Sequence, residues 1–318
     1  MKATQGTTYR TLQAELNRQS LKLNNLRNMV STGKRINRAS DDPAAISPVL
    51  ESRKQIRAND TYLNTLGMAQ DKLKIQDSYL DQEIDVLTRA KELAINAVNA
   101  TLDPQSLSTL ADQIASLRTE LIDSANAQVE GKYIFAGYRE NVKPFQLNAA
   151  YDPALYDPAN SATWPVQYSG DGNPIRLEIS PGEVLEVSLA GSDVFMGDAD
   201  NDGAVDAGRY DVFATLTQVE EAIRADDPTA VNALLEDLDQ GLSQVSRLRG
   251  AMGVNAQRVE SAMDHLEEIK LNYQETLSRY EDADLVESIA LMTQQETAFE
   301  AALQVTSRVA QLSILDFL

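Results

Sequence analysis

Residues 9–30 of this chain read YRTLQAELNRQSLKLNNLRNMV. Apolar side chains recur in this stretch at alternating steps of three and four residues, the spacing of the a and d positions in a coiled coil. A single glutamine interrupts the row. The row consists of Tyr9, Leu12, Leu16, Gln19, Leu23, Leu26 and Val30. The spacing predicts an amphipathic helix whose apolar stripe needs a partner helix.

Two further apolar rows at helical spacing lie at the other end of the chain. The first row is Leu291, Ala298, Ala302, Val305, Val309 and Leu312. The second row is Leu285, Ile289, Met292, Phe299 and Leu303. Neither end supplies enough apolar partners to bury these rows. We therefore expect a subunit that completes its core by assembling, with these residues in the assembly interface.

The composition of the 318 residues narrows the functional class. Aromatic residues make up 6% of the chain, which is low for a compact enzyme and favours an elongated protein of about two domains. Cysteine is absent, which excludes disulfides, thiol nucleophiles and thiolate metal sites. The one histidine, His265, lies in a predicted surface helix without a second imidazole nearby. We expect no enzymatic activity, and no cofactor unless the acidic loop described below binds calcium.

The net charge of −20 is unevenly distributed. Residues 1–60 contain eleven basic and five acidic side chains, whereas residues 151–240 contain three basic and nineteen acidic ones. Opposite potentials of this kind can fix the register of neighbouring subunits, while the acidic excess disfavours nucleic acid as a partner. We expect no membrane span, since no run of about 18 apolar residues occurs. Residues 1–10 also lack the apolar core of a cleaved secretory signal.

The periodicity predicts helices at both flanks of the chain and strands in the middle. Apolar seams at 66–94 and 107–121 predict a helical hairpin, and heptad spacing predicts one long helix over 229–280. Alternating apolar residues at 175–179 and 184–189 predict a β-hairpin. The expected fold is mainly α with an inserted small β domain, in the form of an elongated helical rod. The expected segments are a first assembly helix (1–40), the helical hairpin (41–132), a β-rich outer domain with an acidic loop (133–210), a long return helix (211–284) and a last assembly helix (285–318).

The acidic loop has part of the pattern of an EF-hand calcium site. Its carboxylates alternate along the chain, and Gly203 supplies the residue for a sharp turn. The candidate ligands are Asp198, Asp200, Asp202 and Asp206. The twelfth position, which carries a bidentate glutamate in an EF-hand, is Arg209. Calcium binding and a solvated acidic turn both remain open.

A basic cluster follows the first predicted helix. Gly33 can cap this helix because glycine readily adopts the left-handed conformation. Lys34, Arg35 and Arg38 then precede the acidic pair Asp41-Asp42. We expect this cluster to form contacts between subunits with the acidic residues near the start of the last helix. Those residues are Glu281, Asp282 and Asp284. Local pairing within one subunit is the alternative.

Two ordered motifs at the ends of the chain resemble those of the flagellin superfamily. Near the start, VSTGKRIN at residues 30–37 is followed by ASDDPAA at residues 39–45. Near the end, YEDAD at residues 280–284 precedes a helix that finishes in LDFL at residues 315–318. A third stretch, EGKYIFAGY at residues 130–138, leads to Pro144-Phe145 and is more similar to the hook–filament junction proteins, the hook-associated protein 3 group of the superfamily.

The resemblance implies a structural role outside the bacterial cell. Members are exported unfolded through the flagellar type III apparatus without a cleaved signal, and their terminal helices pair as a coiled coil on assembly. A junction protein forms a ring of its own copies between hook-associated protein 1 and the flagellin filament, and a cytoplasmic export chaperone binds its C-terminal region before secretion. Two alternatives stay open at this point: a short flagellin that polymerises by itself, and a calcium-stabilised extracellular adhesin.

Overall fold

A computed structural model describes residues 2–99, 102–180 and 182–315 of the chain, with the side chains of residues 2–6, 8, 9 and 309–315 left out. Along the described residues, three α-helices precede the short strands and three α-helices follow them. The helices are α1 (Lys2–Thr32), α2 (Ile46–Asn99), α3 (Pro104–Ala125), α4 (Val212–Arg224), α5 (Pro228–Glu281) and α6 (Leu285–Leu315). The strands are β1 (Gln128–Val129), β2 (Lys132–Tyr133), β3 (Phe145–Leu147), β4 (Val166–Tyr168), β5 (Arg176–Ser180) and β6 (Glu183–Glu186).

The chain divides into two compact units. Unit 1 consists of Met1–Asp60 and Glu267–Leu318, and unit 2 consists of Thr61–Leu266. Unit 1 contains α1, α6, the beginning of α2 and the end of α5, whereas unit 2 contains α3, α4 and the strands. No described helix combines the length and the apolar content that crossing a membrane requires.

The helical part of unit 2 follows the predicted apolar seams. Leu66, Leu73 and Leu80 of α2 are buried, as are Ile114 and Leu121 of α3. The second helix of this hairpin, α3, begins where the sequence indicates. Asp103 accepts a hydrogen bond from the Ser106 N–H, and Pro104 occupies the first turn. Its antiparallel direction relative to α2 is that of the expected hairpin, since Ser124 near its end donates a hydrogen bond back to Glu83.

The long helix predicted over 229–280 is confirmed as α5, but the segment 211–284 also contains a second helix, α4, that was not predicted. A break at Asp226, whose φ is +53°, separates α4 from α5. The short helix α4 packs along α3 and buries Leu216, Val219 and Ile223. These positions are spaced three and four residues apart, so the sequence does carry the signal for a separate helix.

The β part of unit 2 is three separate antiparallel strand pairs rather than one sheet. They are β1 with β2, β3 with β4, and β5 with β6. The predicted hairpin at 175–189 is confirmed, and Gly182 takes the left-handed conformation its turn requires, with φ +80°. Between these pairs lies a cluster of aromatic side chains that are wholly buried. The cluster consists of Phe135, Phe145, Phe195 and Phe213.

Two buried glutamines on the helices of unit 2 form hydrogen bonds to the backbone of its loops. Gln76 of α2 accepts the Leu189 N–H at 3.0 Å and donates to the Ile134 carbonyl at 2.7 Å. Gln244 of α5 accepts the Tyr210 N–H at 3.0 Å and donates to the Val194 carbonyl at 3.1 Å. These side chains satisfy backbone groups that the short strand pairs leave unpaired in the core.

Candidate assembly interface

The first helix of unit 1 ends at a glycine cap. Gly33 has φ +69° and donates its N–H to the Met29 carbonyl at 2.9 Å. The Thr32 hydroxyl donates to the Asn28 carbonyl, which satisfies another group in the last turn. This confirms the role expected for the glycine. Its own carbonyl accepts the Ala283 N–H at 2.9 Å, so the cap also contacts the segment before α6.

The segment after the cap pairs with the end of α5. Lys34 and Asp282 form an isolated antiparallel bridge. The N–H of Arg35 donates to the Glu281 carbonyl at 2.7 Å, and the N–H of Ile36 approaches the same oxygen at 3.3 Å. Two motifs that lie about 250 residues apart in the sequence therefore meet through their backbones.

Glu281 is the charged centre of this contact between residues 34–36 and the end of α5. Its side chain is only 2% exposed, and Arg53 donates to its two oxygens at 2.6 and 3.1 Å. Lys34 also forms an ion pair with it. Burial alone would raise the pKa of Glu281, but the hydrogen bonds and charges of Arg53 and Lys34 outweigh it and lower the pKa. We did not expect Arg53 here, because it contacts a residue 228 positions away and no local pattern reports such a contact.

Arg35 organises the loop between α1 and α2. Its guanidinium donates to the Tyr280 carbonyl at 2.8 Å and to Asp42 at 3.1 Å. Asp42 also accepts the N–H groups of Ala44 and Ala45 at 3.2 and 3.1 Å. The hydrogen bond from Ala45, followed by that from Arg35, lowers the pKa of Asp42. The carboxylate is therefore a cap for the turn that leads into α2.

The remaining acidic residues of the predicted site also act within the chain. Asp284 accepts the N–H groups of Val286 and Glu287 at 2.9 and 3.1 Å and so caps the start of α6. Asp282 accepts the Ser278 hydroxyl at 2.6 Å. These contacts are the local pairing that the sequence left open as the alternative.

The other acidic residue of the loop, Asp41, binds backbone. It accepts the N–H groups of Asn37 and Arg38 at 3.0 and 2.7 Å. The Arg38 residue itself is exposed. Of the three basic residues in the predicted cluster, Lys34 and Arg35 are thus engaged inside the chain, whereas Arg38 presents its side chain on the surface.

The two terminal helices pack against each other in antiparallel directions. Arg27 donates to Glu296 at 2.9 Å, and two residues later Met29 accepts the Ser288 hydroxyl at 3.4 Å. Every described member of the first predicted row is at least partly buried. These members are Leu12, Leu16, Gln19, Leu23, Leu26 and Val30. From the last helix, Met292, Phe299 and Ala302 are partly buried.

Much of the apolar surface of α6 stays exposed in a single copy. Its exposed fractions lie between 45% and 53% at five positions. These positions are Leu285, Ile289, Leu291, Leu303 and Val305. The side chains of Tyr9, Val309 and Leu312, which we also expected in the interface, lie outside the described residues. One partner helix covers one stripe of α6, so two neighbouring rows cannot both be buried within one chain.

The acidic loop of unit 2 brings together three of its four candidate ligands. Carboxylate oxygens of Asp198, Asp200 and Asp202 lie within 4.8 Å of one another. Asp198 is 3% exposed, and its two oxygens accept the N–H groups of Asp202 and Gly203, each at 3.0 Å. The loop is therefore already closed by hydrogen bonds from its own backbone.

The fourth candidate ligand is engaged elsewhere in the loop. Asp206 accepts the Ala199 N–H at 2.9 Å and lies 4.0 Å from the Arg209 guanidinium. Arg209, at the position of the usual glutamate, forms an ion pair with Asp193. A cation in this loop would thus be held by three carboxylates near a fixed positive charge.

Comparison with known protein families covers both ends of the chain. Residues 5–140 match the family model for the bacterial flagellin N-terminal helical region, and residues 235–318 match that for the bacterial flagellin C-terminal helical region. The two matches together span more than half of the chain. This chain belongs to the bacterial flagellin family. The resemblance seen in the terminal motifs is confirmed.

Relatives of this flagellin-family chain include both hook-associated proteins and flagellins. It is 26% identical to flagellar hook-associated protein 3 of Escherichia coli K12 over 301 residues, covering 90% of this chain and 89% of that protein. It is 22% identical to the flagellin of Bacillus subtilis over 276 residues, covering 86% and 84%. The flagellar junction protein FlgL from Legionella pneumophila has a similar fold, with a TM-score of 0.59 and 15% identity over 74% of this chain and 100% of that one. The mainly α fold with small strand pairs, as expected, is that of the family.

Proposed function

We propose that this chain is a structural adaptor of the bacterial flagellum that forms the junction between hook and filament. A structural and non-enzymatic role in the flagellum follows from its family. The observation that carries the assembly role is the exposed apolar surface of α6, which a single copy leaves uncovered. The likeness to hook-associated protein 3 over 90% of the chain supports the junction rather than the filament as its position.

The partners that fit this role lie on both sides of a ring. Copies of this chain form the ring, hook-associated protein 1 lies below it and flagellin lies above it. The exposed apolar residues of α6 pack against neighbouring copies, and Arg38 contacts acidic groups of a neighbour. Both features suit an interface in which opposite charges set the register around an apolar seam. The assembled ring lies outside the cell, after export through the flagellar type III apparatus.

A short flagellin is the second candidate, because the chain is also 22% identical to the Bacillus subtilis flagellin over 86% of its length. The two functions differ in one property. A flagellin forms long filaments from a single type of subunit, whereas a junction protein stops at a ring and starts filament growth from another subunit.

Negative-stain electron microscopy under polymerising salt separates the two candidates. We expect no long filaments from the purified chain alone, and faster filament growth or labelled filament ends when monomeric flagellin from the same source is added. Long filaments from the chain alone would make it a flagellin.

A pair of matched variants tests the interface itself. Leu291→Asp places a charge on the exposed apolar surface, and Gln294→Asp places the same charge at an exposed polar position of the same helix. We expect the first variant to abolish the effect on flagellin growth and the second to retain it, because a charge buried between copies would lack a partner. Equal activity of both variants would remove α6 from the interface.

The exposed apolar surface of α6 also suits an export chaperone before secretion, since such surfaces promote aggregation when uncovered. We expect the cytoplasmic export chaperone of the same organism to bind the full chain and to lose binding when residues 285–318 are deleted. Unchanged binding by the deletion variant would move the chaperone contact elsewhere.

A further inference from the structure

Two carboxyl groups in the core of unit 2 have no cationic partner. Glu83 of α2 is 0% exposed and accepts one hydrogen bond, from the Ser124 hydroxyl at 3.3 Å, while its Oε2 has no partner. Asp211 at the start of α4 is 4% exposed and accepts the Ala214 N–H at 3.0 Å, while its Oδ2 has no partner. Buried carboxylates are normally paired, because an isolated charge is strongly disfavoured away from water. Burial therefore favours the protonated form of both groups in this core.

Two cations on α2 and α5 in the turns before and after Glu83 are engaged with other partners. Arg249 of α5 forms ion pairs with Asp77 and Asp81 on α2, and Lys91 of α2 pairs with Asp239 on α5. From α3, the polar group that faces Glu83 is the Ser124 hydroxyl. Burial raises the pKa of Glu83 well above its usual range, and the hydrogen bond from Ser124 opposes this only weakly.

Asp211 lies near two partly buried tyrosines. These are Tyr151 and Tyr156 of the loop before β4. Burial is the main cause of their raised pKa values, and a negative charge on Asp211 would raise them further. Glu221 of α4 and Asp237 of α5 add negative charge around the same tyrosines. Arg118 of α3 also lies near, but it is bound to Glu220 at 2.7 Å and to Thr217 at 3.1 Å. Burial raises the pKa of Asp211 to about 7, against the lowering effect of the Ala214 and Phe213 N–H groups.

We propose that Glu83 and Asp211 form a pH-sensitive element that loosens unit 2 as the pH rises toward neutrality and above. In an unfolded chain the two groups lose their protons near pH 4. In the folded unit they keep them, so above that pH unfolding releases protons and the folded state becomes progressively less favoured. Each group increases the equilibrium constant for unfolding by up to about tenfold per pH unit. For Asp211 this interval extends from about pH 4 to about pH 7.

The single tryptophan of the chain provides a local probe for this proposal. Trp164 is 2% exposed in unit 2, and its indole N–H donates to the Asp157 carbonyl at 3.0 Å. Urea unfolding of the full chain, followed by Trp164 fluorescence between pH 5 and pH 8, measures the stability of unit 2. The test variants are Glu83→Gln, which keeps the acceptor for Ser124, and Asp211→Asn, which keeps a good helix cap. Asp85→Asn, at an exposed position of α2, is the control.

We expect the unfolding constant of the natural chain to rise steeply between pH 5 and pH 7. Each test variant should flatten this rise by up to about tenfold per pH unit, the double variant should flatten it further, and the control should parallel the natural chain. Parallel profiles for all five chains would overturn the proposal. Should a variant fail to fold, infrared spectroscopy of the natural chain at pH 6 decides the question. A carbonyl band of protonated carboxyl groups is expected there, and its absence would also overturn the proposal.

Discussion

The two units of this chain bury their apolar residues to different degrees. In unit 2 the four clustered phenylalanines and Trp164 are at most 2% exposed, and the apolar seams of its helices close around them. In unit 1 Ile36, Ala45 and Val49 form a small buried cluster around the loop between α1 and α2. In α6 of the same unit, Leu291 and Val305 are 45% and 53% exposed. Unit 2 therefore has a complete core of its own, and the terminal helices of unit 1 do not.

The difference follows from how many faces each helix must cover. A helix in unit 2 meets other helices and the strand pairs on several sides, so a broad apolar face is buried. In unit 1, α1 covers one stripe of α6 and leaves the neighbouring apolar row in water. Most helical stability in proteins comes from such packing rather than from intrinsic propensity. In the proposed assembly, the terminal helices would gain further stability when neighbouring copies cover the exposed apolar row.

The largest effect is expected from replacing one phenylalanine in each unit, because the two substitutions should change different properties. Phe145 contacts the rings of Phe195 and Phe213 in the cluster and that of Tyr168 beside it. Its side chain is 0% exposed, so Phe145→Ala should destabilise unit 2 by about 3–5 kcal/mol. Phe299→Ala in α6, where the side chain is half-buried, should leave the Trp164 unfolding transition unchanged and weaken assembly instead. Urea unfolding and filament-growth assays measure the two properties. A similar loss of unit 2 stability in both variants would contradict the division into a closed and an open unit.

The second effect concerns the polar contacts that close unit 2. Gln76→Ala should destabilise this unit by about 1–3 kcal/mol, because the buried Leu189 N–H and Ile134 carbonyl lose their partner. Gln82→Ala, at an exposed position of the same helix, is the matched control and should change little. Equal effects of the two substitutions in urea unfolding would mean that the short strand pairs do not depend on this side chain.

Local patterns predicted much of the fold but only part of the site. Residue spacing was enough to predict the leucine seams, the glycine cap at residue 33 and the β5–β6 hairpin, because each depends on residues that are close in sequence. The helix α4 was not predicted, although its apolar residues have helical spacing and Asp226, which follows it, belongs to a residue type enriched in the left-handed conformation. Arg53 at Glu281 and the aromatic cluster depend on contacts between distant segments, and spacing carries no information about them.

The third effect is a pH response of unit 1 opposite to that of unit 2. The pKa of Glu281 is lower in the folded chain than in the unfolded chain, so its ion pairs stabilise the contact between residues 34–36 and the end of α5 above about pH 4.5. This stabilisation is lost as the pH falls through the lowered pKa of the folded state. Because Arg53 and Lys34 are 42% and 44% exposed, the contribution is modest, about 1 kcal/mol. Glu281→Gln should therefore reduce the hydrogen-exchange protection of the Arg35 N–H by about fivefold at pH 7 and by less at pH 3.

A control for this effect lies on α6, where Glu287→Gln changes an exposed carboxylate. It should leave the protection of Arg35 unchanged at both pH values. A Glu281→Gln variant with the same protection as the natural chain at pH 7 would show that the backbone bridge between Lys34 and Asp282 holds the junction without the ion pairs.

The smallest effect is expected from calcium at the acidic loop of unit 2. The loop is closed by its own N–H groups, so a metal would have little structure left to organise, and the Arg209 guanidinium near Asp206 would oppose a second cation. A dissociation constant above about 10 mM would add less than about 0.5 kcal/mol at 10 mM calcium. The thermal midpoint followed by Trp164 should therefore shift by no more than about 2 °C relative to sodium chloride of equal ionic strength. A larger shift that disappears in Asp200→Asn would instead make the loop a calcium site, and unit 2 would then owe part of its closed structure to a ligand.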